Sequence, residues 1–120
     1  MSDLKPRRKM AVILASDMVG FSKAMGDDET GTLKKLKESR ALMDKAIATH
    51  YGRIFNTSGD SVIAEFSSPV DAVTAAIEFQ KLLKQRNSAQ KVENQAHFRV
   101  GINLGDVIVQ GNDLMGEGIN

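Results

Sequence analysis

Cysteine is absent from this 120-residue chain, which removes disulfides, thiolate catalysis and cysteine-rich zinc sites together. That composition agrees with a reducing, cytoplasmic setting. Net charge is nearly absent too: sixteen Lys+Arg against fifteen Asp+Glu leave +1. No global field therefore recruits nucleic acid or an anionic membrane, and any bound anion must be held locally. Long hydrophobic runs are also missing. The longest, Met10 to Ala15, is far too short for a membrane span, and the basic Lys5 to Lys9 segment before it is not followed by a cleavage site. Internal repeats and low-complexity tracts do not occur. What remains is 42% hydrophobic residues, enough for one domain with its own core. Residues 1–9 are expected to be a basic, solvated tail and 10–120 the domain.

The most informative stretch is Ala11 to Ser22, an apolar run that ends on Asp17 and then Gly20. A run without polar alternation reads as a strand buried on both faces, with its polar end at solvent or ligand. Val19-Gly20-Phe21-Ser22 lets the backbone turn tightly, leaving amide N–H groups for an anion.

Asp27, Asp28 and Glu29 put acid at the start of a helix expected to run to about Tyr51, with Gly52 as its C′ stop. Leu33, Leu36, Met43, Ile47 and Tyr51 draw its apolar stripe, which Arg40 interrupts. Arg53–Thr57 and Ser61–Phe66 flank Ser58-Gly59-Asp60 as a β-hairpin. Ser68 caps the next helix, with Pro69 at its first position and Asp71 as capping-box partner. Ala72, Ala76, Phe79 and Leu83 form its buried face, widened by Val73, Ala75, Ile77 and Leu82. Gln85 to Gln95 reads as a loop. His97 to Leu104 alternates cleanly, Phe98, Val100, Ile102 and Leu104 against His97, Arg99, Gly101 and Asn103. Gly105-Asp106 is expected to turn the chain into a short strand, Val107–Val109, and the glycine-rich end from Gln110 to be loop.

The resulting order, βαββαβ, is that of the α+β ferredoxin-like fold: an antiparallel-rich sheet with helices on one face. In that sheet the first strand pairs with the third, bringing Asp17 beside the hairpin residue Asp60. Alone, Asp60 reads as an ordinary turn residue. As a pair, two carboxylates repel unless a cation lies between them, and oxygen-only ligands favour Mg2+ or Mn2+. His50 and His97 have no partner visible in the sequence and carry no role.

Four stretches resemble, in order, the motifs of the class III adenylate/guanylate cyclase catalytic domain of bacterial type. They are Asp17-Met18-Val19-Gly20-Phe21-Ser22, Thr57-Ser58-Gly59-Asp60, Phe98 to Asp106 and Asp113 to Asn120. The helix opening Ser68 to Val73 is similar as well, and the likeness covers nearly the whole chain from Arg8. The resemblance implies conversion of ATP to 3′,5′-cyclic AMP and pyrophosphate by two metal ions at a homodimer interface. It implies that Asp17, Asp60 and the Met18 carbonyl hold two Mg2+ or Mn2+ ions, and that the backbone at Gly20, Phe21 and Ser22 touches the terminal phosphates. Asp113 would accept the adenine amino group and Asn120 would orient the ribose, with metal-holding and base-reading groups contributed by opposite subunits. Asn56, four positions before Asp60, stands where adenylate-specific members carry lysine. Asp113 favours ATP over GTP. The family pattern continues past Asn120 to an arginine, so the domain is expected to be incomplete at its C-terminal end. The alternative readings are a catalytically inactive homology domain that binds nucleotide or a partner as a sensor, and a ferredoxin-like interaction module.

Overall fold

The computed structural model describes residues 7–110 and 113–116. Its elements follow in order as β1 (Arg7–Met18), α1 (Phe21–Asp27), α2 (Glu29–Thr49), β2 (Arg53–Ser58), β3 (Ser61–Phe66), α3 (Pro69–Ser88), a 3-10 turn (Val92–Asn94), β4 (Phe98–Gln110) and β5 (Asp113–Met115). The five strands form one sheet in the order β2-β3-β1-β4-β5, every neighbouring pair antiparallel. The expected α+β architecture and the pairing of the first strand with the third are both present.

The apolar run of β1 is buried on both faces for different reasons. Val12, Leu14 and Met18 join Val62, Ala64, Phe66 and Phe98 under α2 and α3, which contribute Met43, Ala46, Ile47, Ala72, Ala75, Phe79 and Leu83. Ala11 and Ile13 face the other way and are covered by Val107 and Leu114, with Phe55, Ile63 and Val109 around them. The Phe79 and Phe98 rings meet edge to face at 5.5 Å, joining α3 to β4. Among the described residues, no helix is long and apolar enough to cross a membrane.

Several sequence expectations are corrected. The helix expected from Asp27–Glu29 to Tyr51 is α2, which Asp28, extended (φ −156°), caps by accepting the Gly31 N–H at 3.0 Å; the unexpected element is α1, which precedes it where the sequence reads as a turn. Thr32 then fastens α2 to α1 through a 2.9 Å hydrogen bond to the Ala24 carbonyl. The expected stripe of α2 holds at Leu36, Met43 and Ile47, and Thr32, Ser39 and Ala46 join it, whereas Leu33 and, past the helix end, Tyr51 are exposed. At its end Tyr51, not Gly52, takes the left-handed conformation (φ 65°), and the Gly52 N–H closes the turn on the Ile47 carbonyl at 2.8 Å. α3 extends to Ser88, taking in the first four residues of the expected loop. Ala75 joins its buried face, but Val73 and Ile77 are exposed.

β4 does not turn at Gly105-Asp106. It continues to Gln110 because β1 pairs with it as far as Arg7 opposite Val109, with Ala11 opposite Gly105 and Met10 opposite Asp106, and β5 pairs with its last residues. Arg8 secures this extension with a 2.9 Å ion pair to Asp106, so Arg7–Lys9 are strand residues. The expected loop after Gln110 contains β5, whose Leu114 completes the second cluster. Ile102 and Leu104 lie beyond the cover of the helices and are exposed. His50, read as unpartnered, sits 2.8 Å from Glu78 and ties α2 to α3.

Candidate carboxylate site

Register builds the site. Asp17 stands opposite Arg99 on β4, and the β1–β3 pairing ends one step before it, at Ser16 opposite Val62. Continuing that register by two residues brings Asp60 opposite Met18. The contact is made: the Met18 N–H donates to Asp60 Oδ2 at 2.8 Å. Gly59, in the left-handed conformation (φ 56°), lets the hairpin turn there, directly over the Phe21 ring. Asp17 and Asp60 therefore occupy the ends of adjacent strands, as the sequence led one to expect.

Met18 is buried in the helix-side core, so only its main chain reaches the site. Gly20 is left-handed (φ 70°) and opens α1, whose first residues are the half-buried Phe21 and the exposed Ser22. Asn56 is exposed and stands opposite Ile63, which stands opposite Ala15, which stands opposite Gly101. That row lies on the face away from the helices, one side-chain step from the row containing Asp17 and Arg99. A β-bulge between Ile54 and Asn56 produces this alignment by setting two residues against one. Asn56 is thus about 12 Å from Asp17, two strands across and two residues along. Asp113 is the first residue of β5 and pairs with Gln110, at the opposite end of β4 from Arg99. At ~3.3 Å per residue that separation is about 36 Å, so one chain does not bring Asp113 to Asp17. Asn120 lies outside the described residues.

Arg99 is the residue that sequence reasoning missed. Its Nε donates to Asp17 Oδ1 at 2.9 Å. The Asp17 bond and charge, and more distantly the Asp60 charge, raise the guanidinium above its ordinary pKa despite slight desolvation. The signal was present: alternation put Arg99 on the polar face of its strand, and only the pairing of β1 with β4 was lacking to set it against Asp17.

Ala15, Ser16, Asp17, Ser61, Arg99 and Gly101 line a shallow depression of about 220 Å3. Ligand pockets commonly enclose ~300–1,000 Å3, so this surface provides a floor and one wall of such a pocket. A larger hollow, about 690 Å3 beside Gly105 and Asp106, is remote from the carboxylates and has no comparable charged pair beyond the surface bridge of Arg8. The donor set of Asp17, Asp60 and the Met18 carbonyl fits a hard divalent cation, since it is all oxygen and each carboxylate keeps one oxygen beyond the hydrogen bond named. Among the described residues no three acidic, histidine or cysteine side chains are placed to hold a metal ion together. A cation here would complete its shell with water or substrate oxygens.

The chain is an α+β domain, an antiparallel sheet with its helices on one face and the carboxylates of Asp17 and Asp60 at the ends of adjacent strands. The chain belongs to the adenylate and guanylate cyclase catalytic domain family, whose model matches residues 4–114. It is 38% identical over 115 residues to a Rhizobium meliloti (strain 1021) protein whose name marks it as a candidate adenylate cyclase 3. That match covers 95% of this chain, which spans about a fifth of the curated relative's length (20%). Among solved structures, the adenylate/guanylate cyclase/hydrolase from Silicibacter pomeroyi superposes with a TM-score of 0.87 at 35% identity, over 97% of this chain and 68% of the other. The adenylyl cyclase CyaB from P. aeruginosa, at 24% identity and TM-score 0.76 over 97% and 70% of the two chains, shares the fold.

Proposed function

We propose that this domain converts ATP to 3′,5′-cyclic AMP and pyrophosphate, working as a homodimer with two composite sites in a cytoplasmic setting. The observation that carries this reading is the separation along β4: Asp17 with Asp60 at one end and Asp113 at the other. Residues about 36 Å apart act on one substrate only if the second set comes from another copy, which also supplies the missing wall of the depression.

Asp17 and Asp60 hold the cations with the Met18 carbonyl, and the Gly20–Ser22 main chain faces the terminal phosphates. Mg2+ or Mn2+ held by these residues would supply the positive charge that activates the ribose 3′ oxygen and offsets the charge of the departing pyrophosphate. Asp113 of the second copy accepts from the adenine amino group, an interaction the guanine oxygen would repel. Asn56 offers the base a neutral amide, and Asn120 orients the ribose. A second reading, nucleotide binding without turnover, is favoured by the neutral amide of Asn56 alone.

Mixing variants tests the dimer. Asp17→Ala and Asp113→Ala, each inactive alone, should together recover about a quarter of wild-type cyclic AMP formation, since half of random dimers are mixed and each mixed dimer has one intact site. Parallel assays with ATP and GTP, on the chain and on versions extended beyond Asn120, measure turnover and base choice. Full activity of either single variant overturns the assignment, and ATP binding without product selects the second reading.

A further inference from the structure

Asp17 and Asp60 each accept a hydrogen bond within the chain, but from donors of different kinds. Asp60 is held by the Met18 N–H, a main-chain group fixed in the sheet. Asp17 is held by Arg99, a long side chain 73% exposed against 41% for Asp17, so the guanidinium lies over the carboxylate at the mouth of the depression. Among the described residues, Asp17 is the hydrogen-bond partner of Arg99. The first contact orients a ligand and can remain in place. The second occupies one: a guanidinium and a divalent ion at Asp17 compete for the same negative charge, and the two cations repel at contact distance. A solvent-exposed arginine gives up such a pair readily.

Resting on the reading of Asp17 and Asp60 as cation ligands, we infer that Arg99 is a displaceable internal counterion. It neutralises Asp17 in the metal-free chain and swings off as a divalent cation enters, and it thereby sets the cation concentration at which the site fills. The released guanidinium stays at the rim, two residues along β4 from Gly101 and its bare floor.

Binding of Mn2+ without nucleotide, followed by loss of the free-ion electron paramagnetic resonance signal, tests this on the chain itself. Arg99→Gln should bind Mn2+ roughly three- to tenfold more tightly than wild type, with Arg99→Lys between them and the difference shrinking as ionic strength rises. Adding Asp17→Asn to Arg99→Gln should abolish the gain. Circular dichroism establishes that each variant is folded. Equal or weaker binding by Arg99→Gln, or a gain that survives Asp17→Asn, overturns the counterion role while leaving the cation site standing. Absence of Mn2+ binding in wild type and Arg99→Gln alike overturns both.

Discussion

The main-chain N–H of Met18 and the carboxylate of Asp60 are joined across 2.8 Å, which fastens the last residue of β1 to the β2–β3 turn. Asp60 is therefore an acceptor in the fold as well as a negative charge, and two substitutions separate the roles. Asp60→Ala strands a part-buried N–H and should lower unfolding free energy by about 1–3 kcal/mol in urea titrations. Asp60→Asn keeps an oxygen for Met18, and its loss should stay below about 1 kcal/mol, yet both variants should lack cyclic AMP formation. Equal destabilisation by the two would show that the hydrogen bond depends on charge.

The end of α2 carries a conflict that substitution can relieve or worsen. Tyr51 is left-handed and 81% exposed, so Tyr51→Gly should raise stability by up to about 1 kcal/mol. Gly52 is the opposite case: a Cβ there would lie 2.5 Å from the Phe66 ring and 2.7 Å from Ile47. Gly52→Ala should cost about 1–3 kcal/mol through displacement of core side chains. Thermal unfolding of the two variants, read side by side, should move in opposite directions.

Glu65 joins three strands through Arg53 at 2.6 Å and Lys9 at 3.0 Å. Burial pushes its carboxyl up, but these bonds and charges outweigh it and hold the group below the usual carboxylate range. A depressed folded-state pKa stabilises the protein fully above the unfolded value of about 4.3, and the contribution is lost as pH falls through the folded value. Wild type should therefore lose stability on acidification below about pH 4.5 more steeply than Glu65→Gln, and at pH 7 the variant should be less stable by about 1 kcal/mol. Unfolding midpoints from pH 3 to 7 provide the measurement; parallel curves would mean that Glu65 does not link folding to protons.

Much of this arrangement was legible in the sequence because local chemistry and tertiary packing agree. Ser68 caps α3 on the Asp71 N–H, Val62, Ala64 and Phe66 alternate as a covered strand should, and the 1–3 pairing brings Asp60 to Asp17. The failures share a cause, since each depends on a partner that a one-dimensional pattern does not contain. β4 outruns the turn signal of Gly105-Asp106 because β1 is long enough to pair with it. Thr32 and Ser39 can be buried in α2 because their hydroxyls bond the Ala24 and Lys35 carbonyls, which hydrophobicity does not register. Arg99 acquires its meaning only from the strand beside it.

The bulge in β2 has a consequence for the gene as well as for the sheet. Ile54 stands opposite Ala64 and Asn56 opposite Ile63, so Phe55 occupies no rung of the ladder. In-frame loss of its codon would remove an aromatic ring from the second cluster while Asn56 kept its neighbour and its face. Loss of the codon on either side would instead shift which side chains meet across the hairpin. At this point a change of length would leave the pairing of Asn56 with Ile63, and so the face Asn56 presents, unaltered.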